Sequence, residues 1–139
     1  MSHRLIGNWD LVSYDAVAPD GSRSLPFGRA VGRLTYDEHG NMAGQVMRPD
    51  RAPVNVGREG EAQTVRAAYI GYIAYFGTYQ VNDTGDVVTH HVRGALNPSW
   101  VGGHQVRRMR FEGDLLVLQA DVKKGPLIIN HVLTWRKLP

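Results

Sequence analysis

The 139-residue sequence predicts a mainly β protein: an antiparallel up-and-down β-barrel of about eight strands with one α-helix inserted around residues 61–76. Three observations lead there. Short runs of alternating apolar and polar residues recur at even intervals, Gly, Pro, Asn and Asp clusters separate them, and one stretch alone changes to helical period. A meander of this kind escapes unpaired sheet edges by closing on itself. No repeat, linker or low-complexity segment interrupts it, so residues 1–139 read as a single domain with one core.

Leu5 to Tyr14 is the first strand, rich in β-formers and ended by the turn Pro19-Asp20-Gly21. Alternation places Trp9, Leu11 and Ser13 on one face, and Gly7 allows close backbone approach beside the large Trp9 ring. Val31 to Tyr36 and Met42 to Met47 form a hairpin through Asp37-Glu38-His39-Gly40-Asn41. Both strands contain glycine, as strands do where a sheet coils tightly or a ligand comes close. Asp50 to Gly60 is polar and irregular. Val65, Tyr69, Tyr72, Ile73 and Phe76 then recur at helical spacing, with Glu59 and Glu61 near the start and Gly77 after the end. That aromatic stripe is expected to pack against the barrel. β-Type patterning resumes at Gly77–Val81 and Val87–Arg93, breaks at Asn97-Pro98, and continues through Gln105–Phe111, Asp114–Val122 and Leu127–Arg136.

Composition narrows the classes of function. Hydrophobic residues make up 42% and charged residues 21%, ordinary for a soluble globular domain. No apolar run is long enough to span a bilayer, and no membrane role is expected. Met1-Ser2-His3-Arg4 opens no signal-like apolar segment, and the absence of cysteine excludes disulfides and thiolate metal sites; a cytoplasmic location is the expectation. The net charge of +3 raises the question of nucleic acid. Thirteen of the sixteen basic residues are arginines, however, scattered from Arg4 to Arg136. In the one cluster, Arg107-Arg108-Arg110, alternation sends Arg107 to the face opposite the other two. A nucleic-acid footprint concentrates charge on one face, so no nucleic-acid partner is expected.

Gly7-x-Trp9 on the first strand, with Arg136 near the end of the last, resembles the lipocalin signature, in which the tryptophan plugs the barrel base and a basic residue packs across it. Leu25-Pro26-Phe27-Gly28, Gly40-Asn41-Met42, Met47-Arg48-Pro49, Gly77-Thr78-Tyr79, Thr89-His90-His91-Val92 and Asn97-Pro98-Ser99-Trp100-Val101-Gly102 extend the likeness across almost the whole chain. Together they resemble the bacterial and fungal lipocalin-like domain family of the calycin superfamily. The resemblance implies a calycin-type barrel around a small-molecule cavity. It implies no single activity, because such barrels include both carriers and enzymes. Secreted lipocalins begin with a signal peptide and often carry disulfides, which this sequence lacks, so extracellular transport is not expected.

The side chains available for chemistry are few. Neighbours on a strand face opposite ways, so His90 and His91 cannot both point inward. Val88, His90, Val92 and Leu96 form the apolar set, which puts His90 inside and His91 outside. Burial among valines favours the neutral ring. Such a ring serves as a general base, as a hydrogen-bond partner for a ligand, or as a purely structural histidine bonded to a tyrosine or backbone oxygen. Arg107 shares a face with Gln105, Met109 and Phe111; facing inward it offers a fork to a carboxylate or enolate, but the opposite assignment, with Val106 inside, fits equally. Trp100 stands near a barrel mouth, either stacking on a flat ligand or capping the core. Tyr36, Tyr79 and Gln45 complete the polar candidates for a mostly apolar interior.

No metal or other cofactor is called for. His90, His104 and His131 are the only candidate ligands, and no His-x-His or His-x-x-x-His spacing brings them together. No serine lies in a nucleophile elbow, the carboxylates fall in turns, and no glycine-rich loop precedes the helix.

The preferred reading is therefore an intracellular small-molecule-binding barrel for a hydrophobic or aromatic ligand, oriented by Tyr36, Gln45, Tyr79, His90, Trp100 and Arg107. The alternative is a cofactor-free isomerase, cyclase or hydratase for a polyketide- or terpenoid-like substrate, with His90 as acid or base and Arg107 or a tyrosine holding a developing oxyanion. A third reading is an interaction module or a homodimer, with the helix or an outer sheet face as the contact.

Overall fold

The computed structural model describes residues 4–139; Met1, Ser2 and His3, which entered the reading on export, lie outside them. The strands are β1 (Gly7–Val17), β2 (Arg23–Ser24), β3 (Val31–Tyr36), β4 (Asn41–Met47), β5 (Tyr72–Val81), β6 (Val87–Ala95), β7 (His104–Glu112), β8 (Leu115–Lys124) and β9 (Leu127–Lys137), with helix α1 (Glu61–Ile70) between β4 and β5. β1 and β3 to β9 pair antiparallel in chain order, and β1 pairs again with β9 from Trp9 opposite Lys137 to Val17 opposite Asn130. That last ladder closes an eight-stranded barrel, the expected architecture. β2 only extends the rim, opposite Ala16 and Val17.

Short-range chemistry fixes the turns. The Asp37 carboxylate accepts the backbone N–H groups of His39 at 2.9 Å and Asn41 at 2.8 Å, holding the β3–β4 hairpin. Asn82 accepts in the same way from Asp86 and Val87 between β5 and β6.

One end of the barrel is packed solid. Leu5, Trp9, Tyr36, Met42, Tyr79, Val88, Met109 and Leu116 are buried there, each apolar side chain contributing about 1.5–3 kcal/mol on transfer from water. The Trp9 indole donates to the Leu5 carbonyl at 2.9 Å, so the ring that plugs the base has its polar edge satisfied. The basic residue lying across it is Lys137, whose ammonium sits 5.0 Å from the ring centroid, and not Arg136. Trp135 points inward and alternation then turns Arg136 outward and Lys137 back. Gly7 makes room for this contact: its φ is 141°, and a Cβ there would lie 3.1 Å from the Lys137 side chain.

Two bulges change which residues face inward. Between Leu11 and Ser13 the β1–β9 register skips Val12, so Trp9 and Leu11 are followed inward by Tyr14 and Ala16. Ser13 does not share their face. On β6 the pairing with β5 skips Arg93, between Val92 opposite Gly77 and Gly94 opposite Phe76. Val88, His90 and Val92 are buried as expected, but beyond the bulge Leu96 emerges at the surface. Gly77 belongs to this irregularity, because a Cβ there would fall 1.8 Å from the His91 carbonyl oxygen.

Helix α1 ends at Ile70, not at residue 76. Tyr72, Ile73 and Phe76 belong to β5, and none of the helical residues is buried. The expected packing of an aromatic stripe on the barrel is thus replaced by strand pairing. Arg51 ties the helix down instead, donating to the Ala68 carbonyl at 3.2 Å and stacking 4.9 Å from the Tyr72 ring.

Candidate ligand-binding site

Above the packed base the barrel is hollow. The cavity measures about 360 Å³ and is walled by Leu34, Val46, Ile73, Leu118, Ala120, Val122, Leu133 and Trp135, with polar side chains from several strands among them. This size and this mixture suit a compact organic ligand.

His90 stands on the cavity wall and is 2% exposed. Both ring nitrogens are engaged: Nε2 lies 2.6 Å from the Tyr36 hydroxyl and Nδ1 lies 2.6 Å from the Tyr75 hydroxyl. Burial first, and the positive charge of Arg107 and neighbouring His91 after it, push its pKa down to about 3, so the ring is neutral. A neutral imidazole has one donor and one acceptor nitrogen, and the surroundings decide which is which. Tyr36 is 1% exposed and its hydroxyl has no other partner among the described residues. It therefore donates to Nε2. The remaining proton sits on Nδ1 and is donated to the Tyr75 oxygen, which leaves the Tyr75 O–H free to donate towards the cavity it lines.

A second tyrosine–histidine pair faces the same space. Tyr14 and His131 both line the cavity, with the hydroxyl 2.7 Å from Nδ1. Burial lowers the pKa of His131, with Arg107 adding to the effect, and burial raises those of Tyr14 and Tyr75. Burial also raises that of Tyr36 well above the usual phenol range.

Arg107 faces inward, which resolves the alternation in its favour over Val106. Its guanidinium donates to the Val106 carbonyl at 3.0 Å and to the Gln105 side chain at 3.2 Å. The adjacent arginines behave differently: Arg108 pairs with Asp121 at 2.9 Å and Arg110 with Glu112 at 2.6 Å, both on the outer surface. No carboxylate pairs with Arg107 among the described residues.

Trp100 also lines the cavity, its ring edge-on to Tyr75 at 6.1 Å. The short 3₁₀ turn Pro98–Trp100 holds it there, capped by the Asn97 side chain accepting from the Ser99 N–H at 3.0 Å. The other candidates stand elsewhere. Tyr36 lies beneath the cavity and reaches it through His90. Tyr79 is buried in the base, its ring 4.7 Å from Tyr36 and its hydroxyl donating to the Asp37 carbonyl at 2.7 Å. Gln45 borders the wall but turns its amide outward, where it accepts from the Tyr72 hydroxyl. Of the three histidines considered as metal ligands, His90 and His131 face the cavity, each bonded to a tyrosine, while His104 lies on the outer surface against His91.

Sequence reasoning missed Tyr75 and Tyr14. Tyr75 was absorbed into the overlong helix, although Tyr75, Gly77 and Tyr79 already alternate as strand residues. Tyr14 was hidden by the bulge at Val12, which no alternation rule signals.

A family model described as lipocalin-like domain matches residues 6–138. The chain is 35% identical, over 112 residues, to the 4'-hydroxy-3'-methoxypropiophenone carrier protein of Aspergillus oryzae, an alignment spanning 70% of this chain and 97% of that relative. No solved structure matches the chain. With the closed eight-stranded barrel, the plugging Trp9 and the cavity above it, the match over nearly every residue shows that this chain belongs to the lipocalin-like domain family.

Proposed function

We propose that this protein is an intracellular carrier for a small hydrophobic or aromatic molecule bearing at least one oxygen function. The observation that carries the reading is the mainly apolar cavity of about 360 Å³ with the Tyr75 hydroxyl and the Arg107 guanidinium on its wall. The apolar side chains supply affinity, and the few polar groups fix orientation. The name of the Aspergillus relative supports a ligand of this kind, since a hydroxy-methoxypropiophenone joins an aromatic ring to ketone and phenol oxygens.

The acid–base alternative is weaker on two grounds. A general base needs a nitrogen within reach of substrate, yet both nitrogens of His90 are held by tyrosine hydroxyls. A pKa near 3 also leaves the ring a poor proton acceptor at neutral pH. His90 acts here as the element that orients Tyr75. Thermal denaturation with a panel of aryl ketones tests the carrier reading. A true ligand at about one hundred times its dissociation constant stabilises by about 2.7 kcal/mol, whereas a panel without any saturable shift contradicts it.

A further inference from the structure

We propose that the cavity selects its ligand as an oxyanion, held between the Arg107 guanidinium and the Tyr75 hydroxyl with its apolar body against Ile73, Leu118 and Leu133. The inference rests on the carrier reading and specifies the chemical class within it.

Arg107 carries five N–H donors, and only two contacts engage them, one to a backbone carbonyl and one to an amide. Tyr75 accepts from His90 and so presents its own O–H. Trp135, also on the wall, has a buried indole N–H without an acceptor among the described residues. On the acceptor side, no aspartate or glutamate among the described residues lines the cavity. The wall is thus rich in donors and carries a cation, Arg107, that no carboxylate pairs with among the described residues. Arg107 is half-buried in the unliganded barrel, and a ligand that covers it buries that charge beside apolar walls, which is costly unless the ligand is itself an anion. A carboxylate, or a phenolate or enolate made acidic by a conjugated carbonyl, supplies both the charge and the lone pairs, and binds guanidinium in a charge-assisted geometry.

The protein side is electrostatically constant over the useful pH range. The titratable groups around Arg107 are Tyr14 from β1, Tyr36 from β3, Tyr75 from β5, His90 from β6 and His131 from β9. β4 presents Val46, β7 itself Gln105, and β8 Leu118, Ala120 and Val122. The histidines are shifted towards neutrality and the tyrosines away from ionisation, so from neutral to mildly alkaline pH only the ligand changes charge.

Isothermal titration with matched pairs tests this. One pair is a 4-hydroxyaryl ketone and its methyl ether; the other is an arylpropionate and its methyl ester. Expected for the phenol is an affinity that rises with pH through the phenol's own pKa, while the ether stays flat. Expected for the acid is binding roughly tenfold or more tighter than the ester, the scale of one charge-assisted hydrogen bond. Whichever pair shows the larger ratio identifies the source of the oxyanion. Arg107→Met removes the preference, weakening the charged partner of each pair far more than the neutral one; Arg107→Lys, which keeps the charge without the fork, retains part of it. Equal or tighter binding of the neutral partner in both pairs overturns the oxyanion inference and leaves the carrier reading standing. Absence of binding by all four compounds to the folded protein overturns both.

Discussion

The Tyr36 hydroxyl lies 2.6 Å from Nε2 of His90, and both residues are withdrawn from solvent between the packed base of the barrel and its cavity. This contact joins the two halves of the structure. Below it, Tyr36 packs edge-on against Tyr79 in the core; above it, His90 passes a fixed tautomer to Tyr75 at the wall of the cavity. The fold therefore sets the direction of the cavity-facing Tyr75 hydroxyl through two side chains of the barrel interior, Tyr36 and His90.

Acid stability follows from the neutral His90. Its pKa is about 3 when folded and 6.5 as the ordinary value of the unfolded chain. The folded value is the lower, so between them the unfolded chain binds the additional proton. The stability contributed by the neutral ring is complete above pH 6.5 and is lost as pH falls through that window towards 3. The slope from this one group approaches about 1.4 kcal/mol per pH unit. Urea denaturation of wild type and His90→Gln at a series of pH values checks this. At neutral pH the variant is expected to be about 1–3 kcal/mol less stable, and the gap is expected to narrow with acidification. A gap that is constant across the series contradicts the account.

Removing the two hydroxyls that bracket His90 has unequal effects. Tyr36→Phe leaves a buried acceptor nitrogen without its donor and is expected to cost about 1–3 kcal/mol. Tyr75→Phe, on the half-buried cavity side, is expected to cost less and to weaken ligand binding instead. Chemical denaturation paired with a binding titration separates them. Equal stability losses with unchanged ligand affinity for Tyr75→Phe contradict the assigned direction of the hydrogen bonds.

At the base, Lys137→Ala is expected to lose about 0.5–1 kcal/mol, the value of an exposed cation over an aromatic face. Arg136→Ala, pointing outward on the same strand, is expected to stay within about 0.5 kcal/mol of wild type. The order of their thermal midpoints decides which cation covers Trp9.

Much of this arrangement was legible in the residues. Even spacing of alternating runs implied the closed meander, and a lone histidine among Val88 and Val92 implied that His90 faces inward. Three features escaped for definable reasons. Tyr69, Tyr72, Ile73 and Phe76 satisfy a helical period, while Ile73, Tyr75, Gly77 and Tyr79 satisfy a strand period across the same stretch, so periodicity alone does not place the helix end at Ile70. The bulges at Val12 and Arg93 each reverse the alternation, which concealed Tyr14 and misplaced Leu96. Arg107 stayed open because an arginine and a valine on adjacent positions both fit a cavity wall, and only the paired strands decide between them.

The central claim is that ligand binds inside the barrel, and calorimetric titration of 4'-hydroxy-3'-methoxypropiophenone into wild type and Ala120→Trp tests it most directly. Ala120 lines the cavity, and an indole at that position occupies the space a ligand needs. Saturable binding at one site to wild type, abolished in a variant that remains folded, is the predicted result. Undiminished binding to Ala120→Trp, or no binding to wild type by this compound or by the aryl ketones tested for stabilisation, would contradict it.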